Sequence, residues 1–164
     1  MAEIMSYNEL TRRMAALKAS FPQQFAGPHI GFSVYPGWLS LFEKLCADID
    51  QVEEEYGAQR SLRWRQVKEK FGALRAYYGA ETYCLDNGLL KAGGMWLLRT
   101  EDEPKSKMHK PSQWTRIWAL VDATEDASGT ICMFCGAPGT LRTNGWMFTA
   151  CEAHVGVHLR DYFL

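Results

Sequence analysis

The chain of 164 residues has little of several things that would assign it quickly. No continuous apolar run approaches the roughly 20 residues of a transmembrane helix. Met1-Ala2-Glu3-Ile4-Met5-Ser6 has neither the basic nor the apolar region of a secretory signal. A cytoplasmic protein with no membrane partner is therefore expected. An excess of one sign of charge is also lacking: the formal net charge is -1, which argues against a uniformly basic nucleic-acid binder while leaving room for a segregated patch. Absent as well are a glycine-rich phosphate loop, a Ser nucleophile elbow, and a Cys–His pair outside one C-terminal cluster. Of the four histidines, His29 and His109 stand alone in turn-rich or charged segments, with no second ligand or base in sequence reach.

Cysteine is scarce too, with five in the chain, and three of the five fall close together. Cys132-Met133-Phe134-Cys135-Gly136 is followed by Cys151-Glu152-Ala153-His154. Two cysteines closing a glycine-ended turn, then a Cys and a His one helical turn apart, supply the thiolate and imidazole donors that tetrahedral Zn²⁺ takes. His158 is the rival fourth ligand; the commoner Cys-x-x-His spacing favours His154. Asn144-Gly145 marks a type I′ hairpin turn between Thr140-Leu141-Arg142 and Trp146-Met147-Phe148-Thr149. Knuckle, hairpin and a helix carrying Cys151 and His154 is the order of parts in a treble-clef finger. Four protein ligands leave no position for an activated water, so a structural zinc and no enzymatic activity are expected. Cys46 and Cys84 remain, read as free thiols in a reducing compartment with Cys46 on the apolar side of a helix; a Cys46–Cys84 disulfide is the alternative that arithmetic alone allows.

What is plentiful is core-forming material: 47% hydrophobic and 13% aromatic residues, ample for one packed body. Ser6-Tyr7-Asn8-Glu9 fits a capping box opening a helix over about 7–20. Prolines and glycines over 22–37 predict a connector with an edge strand near Ile30–Val34. From Trp38 the positions Leu41, Phe42, Leu45, Ile49, Val52 and Tyr56 hold a helical period over five turns, with Glu53, Glu54 and Glu55 on the wet side. Alternation in Arg60–Val67 and strand formers over Leu74–Tyr78 predict two antiparallel strands joined by five or six residues. Residues 79–111 form an excursion, holding a further strand near Met95–Leu98 and a charged loop with Lys105, Lys107 and Lys110. Ser112 caps a last helix whose shared face is Trp114, Ile117, Trp118 and Val121; Asp122, Glu125 and Asp126 read as solvent-facing. The expected fold class is α+β, with helices packed on a small antiparallel sheet and a C-terminal treble-clef-like zinc finger. Its body spans 1–128 and its finger 129–164.

Between 60 and 75 lie six basic residues, Arg60, Arg63, Arg65, Lys68, Lys70 and Arg75, against the single acid Glu69. If one face of this ribbon is apolar, the other is a basic strip, and Arg63, Arg65, Lys68, Lys70 and Arg75 become the expected partner-binding residues. Trp64, Tyr77 and Tyr78 are available there for stacking.

Trp38-x-x-Leu41 with Leu45-Cys46, the block Gln66-Val67-Lys68-Glu69-Lys70-Phe71-Gly72-x-Leu74-Arg75, and the cysteine-histidine segment through Leu141-Arg142 resemble a group of small phage and prophage proteins. The resemblance spans roughly 37–78 and 120–155. It implies a phage setting in a host cytoplasm and a zinc ribbon or treble clef, and no reaction. The expected function is a non-enzymatic accessory protein that binds a host protein or ribonucleoprotein, such as an inhibitor of a defence system like CRISPR–Cas. The alternative is a nucleic-acid-binding zinc-finger protein acting through the ribbon at 60–75.

Overall fold

The computed structural model describes residues 3–57, 61–80 and 113–157. They form a mixed α+β fold with three α-helices and two small sheets: α1 (Tyr7–Ser20), β1 (Gly31–Phe32), α2 (Leu39–Glu55), β2 (Leu62–Lys70), β3 (Ala73–Ala80), α3 (Gln113–Ser128), β4 (Thr140–Arg142) and β5 (Phe148–Ala150). No described helix is long and apolar enough to cross a membrane. The expected strand near Met95–Leu98, the loop lysines 105, 107 and 110, His109, Cys84 and the Ser112 cap all lie outside the described residues, as do Arg60 and His158.

Helix α1 opens as its sequence predicts: Ser6 is extended and its side chain accepts the Glu9 amide at 3.2 Å. The Glu9 carboxylate, expected to reach back to Ser6, instead takes the Arg12 guanidinium at 2.6 and 2.8 Å. Leu10 and Leu17 are buried, and Arg13 pairs with Glu43 of α2. Pro36–Trp38 makes a 3-10 turn that leads into α2, where Phe42, Leu45, Cys46, Ile49 and Val52 are buried. Glu53 departs from the expected wet face. It is fully buried, and its Oε1 accepts the amides of Ser61 at 2.8 Å and Leu62 at 2.9 Å, so a carboxylate stands in for a strand neighbour at the start of β2.

The larger sheet has the order β1-β2-β3. Strand β1 is the expected edge strand, but it pairs in parallel with β2, so the sheet is mixed rather than antiparallel throughout. Strands β2 and β3 pair antiparallel from Leu62↔Ala80 to Lys70↔Ala73. Their connection is shorter than expected: Phe71 and Gly72 alone turn the chain, at φ 55° and 81°. The Lys-Glu-Lys-Phe-Gly block is therefore a strand end plus a tight two-residue turn. Residues 79 and 80, expected in the excursion, belong to β3. A register shift between Trp64 and Gln66 marks a bulge at Arg65.

Helix α3 runs along the free edge of β3. Ser128 Oγ accepts the Leu74 amide at 2.8 Å, and Glu125 Oε1 accepts the Ala76 amide at 2.9 Å while Oε2 pairs with Arg75 at 3.2 Å. Side chains thus occupy strand donors that would otherwise invite another strand. Glu125, expected in solvent, is buried, and Trp118, expected inside, is 48% exposed; Ile117, Val121, Thr124 and Ser128 form the inner face with Glu125. Glu125→Ala should lower stability by about 2–3 kcal/mol because it strands a buried amide and frees Arg75, whereas Glu125→Gln keeps an acceptor and should lose less; urea denaturation of both variants measures this.

One core joins Trp38, Phe42, Leu45, Ile49, Trp64 and Leu74 to Cys132, Met133, Phe134 and Ala150. Buried Gln24 crosses it, donating to the Cys46 carbonyl at 2.8 Å and accepting from Trp64 Nε1 at 3.1 Å. Burial pushes the Cys46 thiol up to about 12. Cys46 should therefore remain unalkylated in the native protein at neutral pH, as peptide mass spectrometry after iodoacetamide would read.

Candidate metal centre

The C-terminal ligand group is built from three short pieces. First comes the knuckle: Gly136 N–H bonds the Cys132 carbonyl at 2.9 Å, Cys132 N–H bonds the Ala137 carbonyl at 2.7 Å, and Gly136 supplies the left-handed residue (φ 78°). The second piece is the β4–β5 hairpin, registered Thr140↔Ala150 through Arg142↔Phe148. Its loop is Thr143–Met147, and Gly145 is the residue there with positive φ, so the expected two-residue type I′ turn at Asn144-Gly145 does not form. Third is a 3-10 turn over Glu152–His154, with His154 N–H on the Cys151 carbonyl at 3.0 Å. The expected helix at this point is a 3-10 turn instead. Residues three apart eclipse one another on such a turn, which still brings Cys151 and His154 together.

The ligand atoms of Cys132, Cys135, Cys151 and His154 all lie within 4.8 Å of one another and could hold a metal ion. Cys135 Sγ and Cys151 Sγ are 3.8 Å apart, and His154 Nδ1 is 3.2 Å from Cys151 Sγ and 3.6 Å from Cys132 Sγ. A tetrahedral ion with zinc-like bond lengths requires about 3.8 Å between sulfurs and about 3.6 Å from sulfur to nitrogen. The three spacings match that tetrahedron to within a few tenths of an ångström, with Nδ1 as the nitrogen facing the centre. Cys132 is fully buried and His154 nearly so; Cys135 and Cys151 are half-buried.

The surroundings favour thiolate at one position in particular. Burial alone raises the Cys132 thiol, but hydrogen bonds from the amides of Cys151, Cys135 and Phe134, with one to His154, outweigh it and bring the group down to about 7. Cys135 has one such amide, that of Ala137, and burial, aided by the neighbouring Cys132 and Cys151, pushes it up to about 11. An apolar wall closes one side: the Phe134 ring lies 6.1 Å from that of His154 and packs edge-on against Tyr35 and Phe148.

The knuckle is seated in the body by residues far away in sequence. Gly37 N–H bonds the Met133 carbonyl at 2.8 Å, and Trp38 Nε1 donates to the Ile131 carbonyl at 3.0 Å. A Cβ on Gly37 would lie 2.0 Å from the Cys132 carbonyl oxygen, so only glycine allows this approach. On the other side Thr149 Oγ1 donates to the Gly72 carbonyl at 2.6 Å. No sequence signal links Gly37, Trp38, Gly72 and Thr149 to the cysteines, because the pairings are long-range and involve backbone atoms.

The five expected partner-binding residues, Arg63, Arg65, Lys68, Lys70 and Arg75, are brought to one hairpin with unequal access. Arg63 is buried and donates to the Leu62 carbonyl; Arg65 donates to the Pro28 carbonyl at 2.9 Å; Arg75 pairs with Glu125. Lys68, Lys70 and Arg75 share one face, Lys68 directly opposite Arg75. Of the expected stacking residues, Trp64 is fully buried and Tyr78 stacks on Trp114.

No protein family, no curated protein and no solved structure matches the chain.

Proposed function

We propose that the four-residue group binds one structural Zn²⁺ in a treble-clef-like finger and that the protein is a non-enzymatic binding protein. One observation carries the reading: three thiols and an imidazole lie within 4.8 Å of one another, three of their spacings near those of a zinc tetrahedron, and four such ligands would fill every coordination position. A metal so enclosed has no place for substrate or an activated water. It contributes by fixing the knuckle and hairpin to the core, since the energy of binding becomes energy of folding. The phage setting implied by the resemblance makes a host protein or ribonucleoprotein the partner, and inhibition of a defence system such as CRISPR–Cas the biological role.

The metal half of this proposal is tested by elemental analysis of purified protein. One equivalent of zinc is expected, and cobalt substitution should give the intense visible bands of tetrahedral thiolate coordination; less than half an equivalent in both wild type and a reconstituted sample would sink it. Nδ1 ligation predicts a characteristic pattern of imidazole ring resonances in the zinc-loaded protein, readable by NMR of labelled histidine. Recovery from bacterial lysate on tagged protein, compared with Cys132→Ser, tests the binding half.

Nucleic-acid binding through the ribbon is the weaker reading. With Arg63 buried, Arg65 on a backbone carbonyl and Arg75 on Glu125, two lysines remain among the described residues of the ribbon to meet phosphates, and affinity from counterion release scales with the number of such contacts.

A further inference from the structure

One feature of the β2–β3 turn is unexplained by folding. A two-residue turn with both residues left-handed suits Asn-Gly; here the first position is Phe71, at φ 55° and 64% exposed. A bulky aromatic in this conformation is strained, and the ring contributes little to the core in return. Strain that the fold does not recoup points to use outside the fold.

The surroundings define that use. Gly72 seats the turn against the C-terminal hairpin, close enough that a Cβ on it would fall 2.4 Å from Leu141 Cδ1, and Leu141 is itself 45% exposed. Two exposed apolar side chains from separate hairpins are thus neighbours, Phe71 preceding Gly72 and Leu141 against it. Beside them, Lys70 Nζ stands 5.4 Å from the Phe71 ring centroid and Lys68 Nζ 5.5 Å from that of Tyr77. Among the described residues neither lysine has a carboxylate at ion-pair distance. Lys68 also faces Arg75 across the ladder, where like charges repel. The surface is therefore apolar at its centre and positive along one side.

We infer that the rim formed by Phe71, Leu141, Lys68 and Lys70 docks a peptide segment of a partner protein in which carboxylates alternate with aliphatic side chains. The aliphatic groups would cover Phe71 and Leu141, and the carboxylates would meet the two lysines. Among the described residues of this rim two available cations are few for a nucleic-acid backbone, and Leu141 offers no stacking face. The inference rests on the binding-protein reading above and names the partner chemistry and the surface.

The test pans a displayed library of random peptides on the zinc-loaded protein. Peptides enriched in Asp or Glu alternating with Leu, Ile or Val are expected, with binding about tenfold or more weaker on Phe71→Asn and on the double variant K68E/K70E. Trp118→Ala, on the exposed side of α3, should bind as the wild type does. Because Asn suits the left-handed position, Phe71→Asn should melt at or above the wild-type temperature; a marked fall would make Phe71 a structural residue and overturn the inference. It is overturned equally by no enrichment over the Phe71→Asn protein, or by peptides that ignore both sets of variants. Phe71-dependent binding of a single-stranded RNA or DNA homopolymer, tighter than any peptide, would also overturn it. A lysate partner recovered equally by wild type and Phe71→Asn would leave the binding-protein reading standing while removing this surface from it.

Discussion

With Zn²⁺ held as proposed, its chelation is expected to unfold the region from Ile131 to His154 and to carry part of the body with it. Thiolate and imidazole ligation in finger peptides contributes on the order of 10–16 kcal/mol at neutral pH, comparable to the total stability of a domain, on the order of 5–15 kcal/mol. Here the ligated segment is not an appendage: Cys132, Met133, Phe134 and Ala150 belong to the same core as Trp38 and Phe42. Loss of the ion would leave three thiols and an imidazole around an empty centre, with Phe134 bearing against His154 on one side of it. Hydrogen exchange with and without chelator should show full loss of protection over residues 131–154, and weakened protection around Trp38 and Gly37, which bond the Ile131 and Met133 carbonyls. Protection unchanged after verified metal removal would refute the structural assignment. Cys132→Ser should behave like the stripped protein even with zinc in excess.

Gly37→Ala is expected to be the most damaging added methyl among the described glycines. The added Cβ would stand 2.0 Å from the Cys132 carbonyl oxygen, 2.5 Å from the Gly136 amide nitrogen and 2.9 Å from the Met133 carbonyl carbon. All three are backbone atoms of the knuckle, which have no rotamer with which to give way. The cost should be about 3 kcal/mol or more, at the upper end of overpacking effects, because the knuckle must leave its seat or the 3-10 turn at Pro36–Trp38 must distort. The distinguishing readout is zinc retention: competition with a chromophoric chelator should show weaker binding by Gly37→Ala, although residue 37 is no ligand. Thermal denaturation gives the stability loss. A variant as stable and as tightly loaded as wild type would mean that the knuckle does not rest on this glycine.

The grouping of the four candidate ligands was legible in the sequence because it is local: Cys132 and Cys135 close one turn, and Cys151 and His154 share another, so spacing alone brings each pair together. Helices α1 and α2 were legible for a similar reason, their apolar positions recurring at 3.6 residues. Legibility failed where long-range contacts override local pattern. Glu53 and Glu125 look like solvated carboxylates, yet each reaches unpaired strand amides that sequence cannot place nearby. The bulge at Arg65 breaks the alternation on which the basic strip was drawn, and Arg63 is buried beside buried Trp64. Turn chemistry misled in both directions. Asn144-Gly145 has the composition of a two-residue turn and sits in a longer loop, while Phe71-Gly72 lacks that composition and forms one.

The seating of the knuckle also bears on the order in which the molecule is made. Tyr35, Gly37, Trp38 and Gly72, which receive it, are all synthesised before the first cysteine of the cluster leaves the ribosome. A nascent chain can therefore assemble the receiving surface and wait, its Trp38 indole nitrogen without the Ile131 carbonyl and its apolar floor open to water. If the group takes zinc as proposed, ion capture follows assembly of that surface, and a cell starved of zinc would accumulate this waiting form, with its sticky floor exposed to chaperones and proteases.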